Sequence, residues 1–125
     1  MTEFQQKFLP PLLVISGIAF LGVKLMMILF PSAWGWSPAQ PEYEGMIVGV
    51  YAVLGIFMFI AARDPMAHLS LIWFTAISTL VHGVIMLFQA ISDPTEADNL
   101  VGDVPALIVL GIILIVVTPK KLKAD

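Results

Sequence analysis

Hydrophobic positions along the chain gather into four long segments, and polar positions fall mostly between them. A helix needs roughly 20 mostly apolar residues to cross a bilayer core of about 30 Å. Four stretches meet this requirement, at about residues 8–30, 44–62, 68–91 and 101–118. The pattern predicts an all-α fold, an integral membrane four-helix bundle that fills residues 1–125 as a single transmembrane domain.

The composition agrees with this pattern. Hydrophobic residues make up 59% of the chain and charged residues 12%, and the mean hydropathy is +0.96. These values exclude an ordinary soluble domain. The chain contains no cysteine, which excludes disulfides and thiolate metal sites, and no basic patch suits nucleic acid.

Prolines indicate where the predicted helices begin and end. Pro10 and Pro11 are expected to open the first helix, where a missing N–H group has no consequence, and Pro31 is expected to close it. The fourth helix is expected to start with Asp103 near its N-cap and Pro105 in its first turn.

Basic residues indicate the orientation, because Lys and Arg in short loops stay on the cytoplasmic side. The connections PSAWGWSPAQPEYE and SDPTEADNLVGD contain neither. The basic residues that flank the opposite helix ends are Lys7, Arg63, Lys120, Lys121 and Lys123. The sequence therefore predicts that both termini are cytoplasmic and that two acidic loops lie outside.

Polar side chains in the third predicted helix recur every seven residues. Seven residues are close to two turns, so these side chains lie on one face. In lipid such a face must turn toward other helices or a wet cavity, because hydrocarbon offers no hydrogen-bond partner. The stripe consists of His68, Thr75, His82 and Gln89, with Thr79 and Met86 between them.

The second predicted helix carries Glu44, Tyr51 and Met58 at the same seven-residue spacing. It also contains Gly45-x-x-x-Gly49, an arrangement that lets two helices approach closely. The matched spacing on the two helices favours a shared polar cluster.

Lys24 is a basic residue inside the first apolar segment. With a rise of about 1.5 Å per residue, it lies roughly 9 Å below the outer helix end, and Tyr51 and His82 lie roughly 10 and 14 Å below that boundary. The depths predict a polar cluster in the outer half of the bundle, made of Lys24, Glu44, Tyr51, His82 and Asp103.

Within this cluster we expect Lys24 to pair with Asp103, or else with Glu44, because an unpaired lysine at this depth costs a few kcal/mol. Two alternatives stay open. In the first, Lys24 reaches the membrane surface on its long aliphatic side chain and pairs with no carboxylate. In the second, the cluster exists but only fixes the helix register.

No metal or cofactor is expected. His68 and His82 are roughly 21 Å apart along one helix, too far to hold one haem. Zinc or copper needs ligands that converge on one point, and the sequence indicates no such set.

The stretches AARDPMAH at residues 61–68 and GDVPAL at residues 102–107 resemble small bacterial four-helix inner-membrane proteins of unknown function, loosely similar to DoxX-like proteins. The resemblance covers roughly residues 42–118. It implies the four-helix fold and a multi-pass location in the bacterial inner (plasma) membrane. It implies no reaction.

The sequence favours a non-catalytic role for this protein. We expect an accessory or small-ligand-binding subunit that contacts the lipid bilayer and assembles as a homo-oligomer or within a larger membrane complex. The alternative is a membrane enzyme for a lipid-soluble substrate, with His82 as acid or base and Lys24 as electrophile. An enzyme needs an open pocket that reaches both residues.

Overall fold

The computed structural model describes residues 1–120, and its regular elements in this range are all helical. The α-helices are α1 (Glu3–Leu21), α2 (Val23–Leu29), α3 (Pro31–Trp34), α4 (Pro41–Arg63), α5 (Leu69–Ser92) and α6 (Asp103–Val117). Two 3₁₀ helices, Pro65–His68 and Pro94–Val101, precede α5 and α6. Lys121 and Lys123, which support the predicted orientation, lie outside the described residues.

Three helices of residues 1–120 are long and apolar enough to cross a membrane: α1, α4 and the continuous segment Pro65–Ser92. A fourth span is formed if the Pro94–Val101 helix and α6, which meet at a bend of 49°, count as one. The all-α prediction is confirmed, with three or four candidate spans.

The first helix begins earlier than predicted. Thr2 and Gln5 form a capping box, in which the N–H of Gln5 donates to Thr2 Oγ1 and the N–H of Thr2 donates to Gln5 Oε1. Pro10 and Pro11 therefore lie inside α1, and the expectation that they open it is wrong. The carbonyls that lose a donor there belong to Gln6 and Lys7, which are exposed residues near the helix start.

The first helix also ends earlier than predicted. Gly22 separates α1 from α2, although its N–H donates to Ile18 O and its carbonyl accepts from the N–H of Met26. The predicted single helix at residues 8–30 is thus two consecutive helices. Lys24 lies in the second of them, beyond the long candidate span.

Glycines bring the long helices together in pairs. A Cβ atom on Gly17 of α1 would lie 2.8 Å from the carbonyl oxygen of Gly55 in α4, and one on Gly55 would lie 2.7 Å from Gly17 O. In the α5–α6 pair, a Cβ on Gly111 would lie 2.8 Å from Leu80 N. Such backbone contact is possible only without a side chain.

Gly45 and Gly49 do not take part in this packing. No atom lies within 4 Å of a Cβ built on either residue. The predicted close approach in α4 is therefore made by Gly55 and not by the Gly45-x-x-x-Gly49 motif.

The four long helices associate as two pairs, α1 with α4 and α5 with α6, while α4 and α5 contact each other only loosely. The N-terminus, the turn at Pro65–His68 and the end of α6 lie at one end of the bundle, where Trp73 Nε1 donates to Pro119 O over 2.9 Å. We call this the termini end. The opposite end, covered by residues 31–40 and 94–101, is the capped end.

The larger apolar core lies at the termini end, and a smaller one, of Met86, Val104 and Leu107, lies at the capped end. The fully buried large side chains of the larger core come from the start of α1 and α5 and from the end of α4 and α6: Leu9, Leu13, Met58, Ile72 and Leu114. The outer faces carry large apolar residues that are at least 60% exposed on each long helix, namely Ile18, Val50, Phe74 and Val116. These faces suit contact with lipid.

Candidate functional site

A cavity of about 50 Å³ lies at the capped end, between α2, α4, α5 and the start of α6. Its polar lining consists of Glu44, Tyr51, His82 and Asp103, and its apolar lining includes Val23, Met27, Ile47, Met86 and Leu107. The structure thus brings four residues of the predicted cluster around one space. This space has room for a few water molecules or for a group of a few heavy atoms.

Tyr51 and His82 join the two helix pairs across this cavity. The Tyr51 hydroxyl and His82 Nδ1 are hydrogen-bonded. The Tyr51 ring also stacks on His82 and on Phe20, with centroids 6.0 and 5.3 Å apart. Because Phe20 belongs to α1, the stack links α1, α4 and α5 in one layer.

Asp103 is the most buried polar side chain of the cavity, with 9% of its surface exposed. It is the first residue of α6, but it does not cap that helix through a side-chain hydrogen bond. Its Oδ1 atom has no hydrogen-bond partner. A buried acceptor without a donor costs about 1–3 kcal/mol, so Asp103 is suited to receive a donor from a ligand.

The burial of Asp103 follows from the residue before it. A Cβ atom on Gly102 would collide with the backbone of Ala33, so α3 packs directly on the start of α6. Any larger residue at position 102 would push α3 away and open the cavity.

Carboxylates hold the cap of the bundle in place. Glu44 Oε1 accepts from the N–H of Trp36 over 2.9 Å, and Glu96 Oε1 accepts from the N–H of Ser37 over 3.1 Å. Asn99 Nδ2 donates to the other oxygen of Glu96 over 2.7 Å. The segment of residues 31–40 is therefore bound to the start of α4 through Glu44 and to the Pro94–Val101 helix through Glu96.

Lys24 is the predicted site residue that the structure does not bring to the others. Val23 and Met27, which are spaced i and i+4, line the cavity, and Lys24 is turned about 100° away from Val23 on the helix. Its side chain is exposed. Lys24 is not among the residues that line the cavity, and Asp103 Oδ1 has no hydrogen-bond partner. The predicted pairing of Lys24 with Asp103 or Glu44 stays a prediction.

The acidic residues at the capped end have a structural role that the sequence pattern did not indicate. Glu44 and Glu96 accept hydrogen bonds from the N–H groups of Trp36 and Ser37 in the segment that covers this end. Asp93 begins the 3₁₀ helix at Pro94–Val101, and the hydroxyl and N–H of Thr95 lower the pKa of this carboxyl. Only Asp93 had a signal in the sequence, because it stands directly before the helix start at Pro94.

The predicted stripe of α5 is mostly turned inward. Thr75, Thr79 and Met86 are buried, and His82 is half-buried in the cavity wall, whereas Gln89 is exposed. His68 lies at the termini end, where its Nδ1 is 2.9 Å from Asp64 O. Within residues 1–120, no group of three or more His, Cys, Asp or Glu side chains is arranged to hold a metal ion.

Comparison with known proteins gives a family without a known activity. The sequence model of a family of unknown function, DUF6632, matches residues 4–123. No curated protein and no solved structure matches the chain. The coarse part of the resemblance, a small helical membrane protein of unknown function, is confirmed, and the likeness to DoxX-like proteins stays a prediction.

Proposed function

The chain belongs to DUF6632, a family of unknown function, and we propose that it is a multi-pass membrane protein that binds a small cationic hydrogen-bond donor in the cavity at the capped end. The observation that carries this proposal is the unpartnered Oδ1 of Asp103 in the cavity wall. A ligand that donates to this oxygen removes the free-energy cost of a buried acceptor without a partner.

The charges around the cavity favour a cation. Two carboxylates, Glu44 and Asp103, line it, and neither lysine nor arginine does. Burial strengthens the attraction between a carboxylate and an opposite charge, because the local dielectric is lower than in water. A protonated amine supplies both the charge and the N–H donors.

This role is a binding role, and it fits an accessory subunit. The enzyme alternative required Lys24 as electrophile beside His82, and the exposed Lys24 does not line the cavity. We place the protein in the bacterial inner membrane with both termini cytoplasmic, so that the capped end faces outward. Assembly as a homo-oligomer or in a larger complex stays a prediction.

Two tryptophans line the cavity, so their fluorescence can report on ligand binding there. Trp34 and Trp36 line it, while the third tryptophan of the chain, Trp73, lies at the termini end. In the Trp73→Phe variant, reconstituted into phosphatidylcholine nanodiscs, fluorescence therefore reports on the cavity. The ligands to titrate are ethylammonium and dodecylammonium, with sodium as the control for ionic strength.

We expect a saturable fluorescence change with an alkylammonium ion. Asp103→Asn keeps the shape of the side chain and removes its charge, and it should weaken binding at least about tenfold, which corresponds to about 1.4 kcal/mol. Asp98→Asn is the matched control, because Asp98 is exposed at the same end. Absence of Asp103-dependent binding for both amines would refute the proposal.

A further inference from the structure

A second cavity, of about 380 Å³, lies between α4 and α5 on the side where these helices pack loosely. It is a groove with walls from both helices, including Val50, Leu54, Phe74 and Ser78. Val50 and Phe74 are 67% and 65% exposed. In a bilayer these apolar walls face lipid chains, so the groove opens sideways into the membrane.

The groove and the polar cavity share part of their lining. Ile47, Tyr51 and His82 line both spaces. The hydrogen-bonded pair of Tyr51 and His82 therefore stands between a lipid-facing groove and the cavity that contains Asp103. An apolar groove and a cavity that holds two carboxylates, on the two sides of one wall, match the two parts of an amphiphile.

We propose that the ligand comes from the membrane and is a single-chain amphiphile with a protonated amine, whose chain lies in the groove and whose amine reaches Asp103 past Tyr51 and His82. This inference rests on the proposed function and adds the ligand class and its route. The groove is several times larger than the polar cavity, as a long chain and a compact headgroup require.

The charges distinguish this ligand from an ordinary phospholipid. No lysine or arginine lines either space, so a phosphate group has no cationic partner there. Glu44 and Asp103 would instead repel it. In a primary amine attached directly to an apolar chain, the amine donates to the acceptor in the cavity and the chain packs against the apolar walls of the groove.

The test fills the groove and leaves the polar cavity unchanged. Ser78 lines the groove and does not line the cavity, so Ser78→Phe adds bulk only on the membrane side. Ser70→Phe is the matched control, because Ser70 is an exposed serine of the same helix outside the groove. Both changes are made in the Trp73→Phe background and measured in phosphatidylcholine nanodiscs with ethylammonium, dodecylammonium and neutral dodecanol.

We expect Ser78→Phe to weaken dodecylammonium binding about tenfold or more and to leave ethylammonium binding unchanged. Unchanged ethylammonium binding also shows that the variant is folded. Ser70→Phe should bind both amines like its parent. Because long amines concentrate in any bilayer, the comparison between these two variants, in the same lipid, isolates the contribution of the groove.

Four outcomes decide the matter. If Ser78→Phe does not affect dodecylammonium while Asp103→Asn does, the ligand arrives from water, and the inference fails but the proposed function stands. If neither amine depends on Asp103, both fail. If dodecanol binds as tightly as dodecylammonium, the amine assignment is wrong. If added phosphatidylethanolamine displaces dodecylammonium, the occupant is a phospholipid and the single-chain assignment is wrong.

Discussion

Tyr51 and His82 form a hydrogen bond between α4 and α5, two helices that otherwise contact each other loosely. Each of the two residues is half-buried and lines both the polar cavity and the lipid-facing groove. The bond therefore connects the two helix pairs beside both cavities. It also forms part of the wall between the two spaces.

Tyr51→Phe is expected to lower the free energy of unfolding by about 1–3 kcal/mol, because it leaves His82 Nδ1 without its partner in a half-buried site. The Phe ring keeps the stack on Phe20, so lost packing does not contribute. The measurement is thermal unfolding in mild detergent. Tyr43→Phe, an exposed tyrosine of the same helix, is the control and should unfold like the wild type. Equal stability of both variants would contradict a structural role for the bond.

Gly17 and Gly55 should tolerate no side chain, whereas Gly45 and Gly49 should. Alanine at position 17 or 55 places a Cβ within 2.8 Å of the opposite backbone oxygen, and forcing the helices apart costs about 1–3 kcal/mol. Alanine at position 45 or 49 meets no atom within 4 Å. Detergent unfolding of the four single variants checks this. A loss of stability that is confined to Gly45→Ala and Gly49→Ala would show that α4 packs with its other face.

Lys24→Met and Asp103→Asn should have additive effects on stability. Since Lys24 is exposed and does not line the cavity that contains Asp103, their coupling energy in a double-mutant cycle should stay below about 0.5 kcal/mol. Asp103→Asn alone should not lower the melting temperature, because it removes a buried charge whose Oδ1 has no partner. A double variant that is more stable than the sum of the singles would restore the predicted pair.

The helices could be predicted from the sequence because their signals are local. Long apolar runs indicate the three or four candidate spans, and seven-residue spacing places Tyr51 and His82 each on a polar stripe of its helix. The depth of Lys24 along its helix did not predict its surroundings, because depth does not give the direction in which a side chain points around the helix axis. Val23 and Met27 line the cavity, whereas Lys24, the residue after Val23, is exposed.

Other features depend on contacts between distant segments, which no local pattern contains. Gly102 buries Asp103 only because the backbone of Ala33 lies against it. Glu96 orders the cap only because the N–H of Ser37 lies within reach of its carboxylate. Glycines in apolar helices are frequent, so the sequence could not tell that Gly55 makes the close contact and Gly49 does not.

The absence of cysteine from the chain allows a clean test of its membrane topology. Ala39 and Ala97 are exposed at the capped end, and Ala67 is exposed at the termini end. Single Ala→Cys variants at these positions should react differently with a membrane-impermeant maleimide applied to intact bacterial cells. Because basic residues stay cytoplasmic, we expect labelling at positions 39 and 97 and none at position 67 until the membrane is permeabilised.

A fourth variant, Lys120→Cys, asks whether α6 crosses the membrane after the 49° bend at its start. If the bent pair is one span, position 120 lies on the same side as position 67 and stays unlabelled in intact cells. Lys121 and Lys123 remain in this variant and keep the segment basic. Labelling of position 120 together with positions 39 and 97 would show three spans, with the C-terminus outside. Labelling of position 67 alone, or with position 120, would reverse the orientation and place the cavity with Asp103 near the cytoplasmic surface.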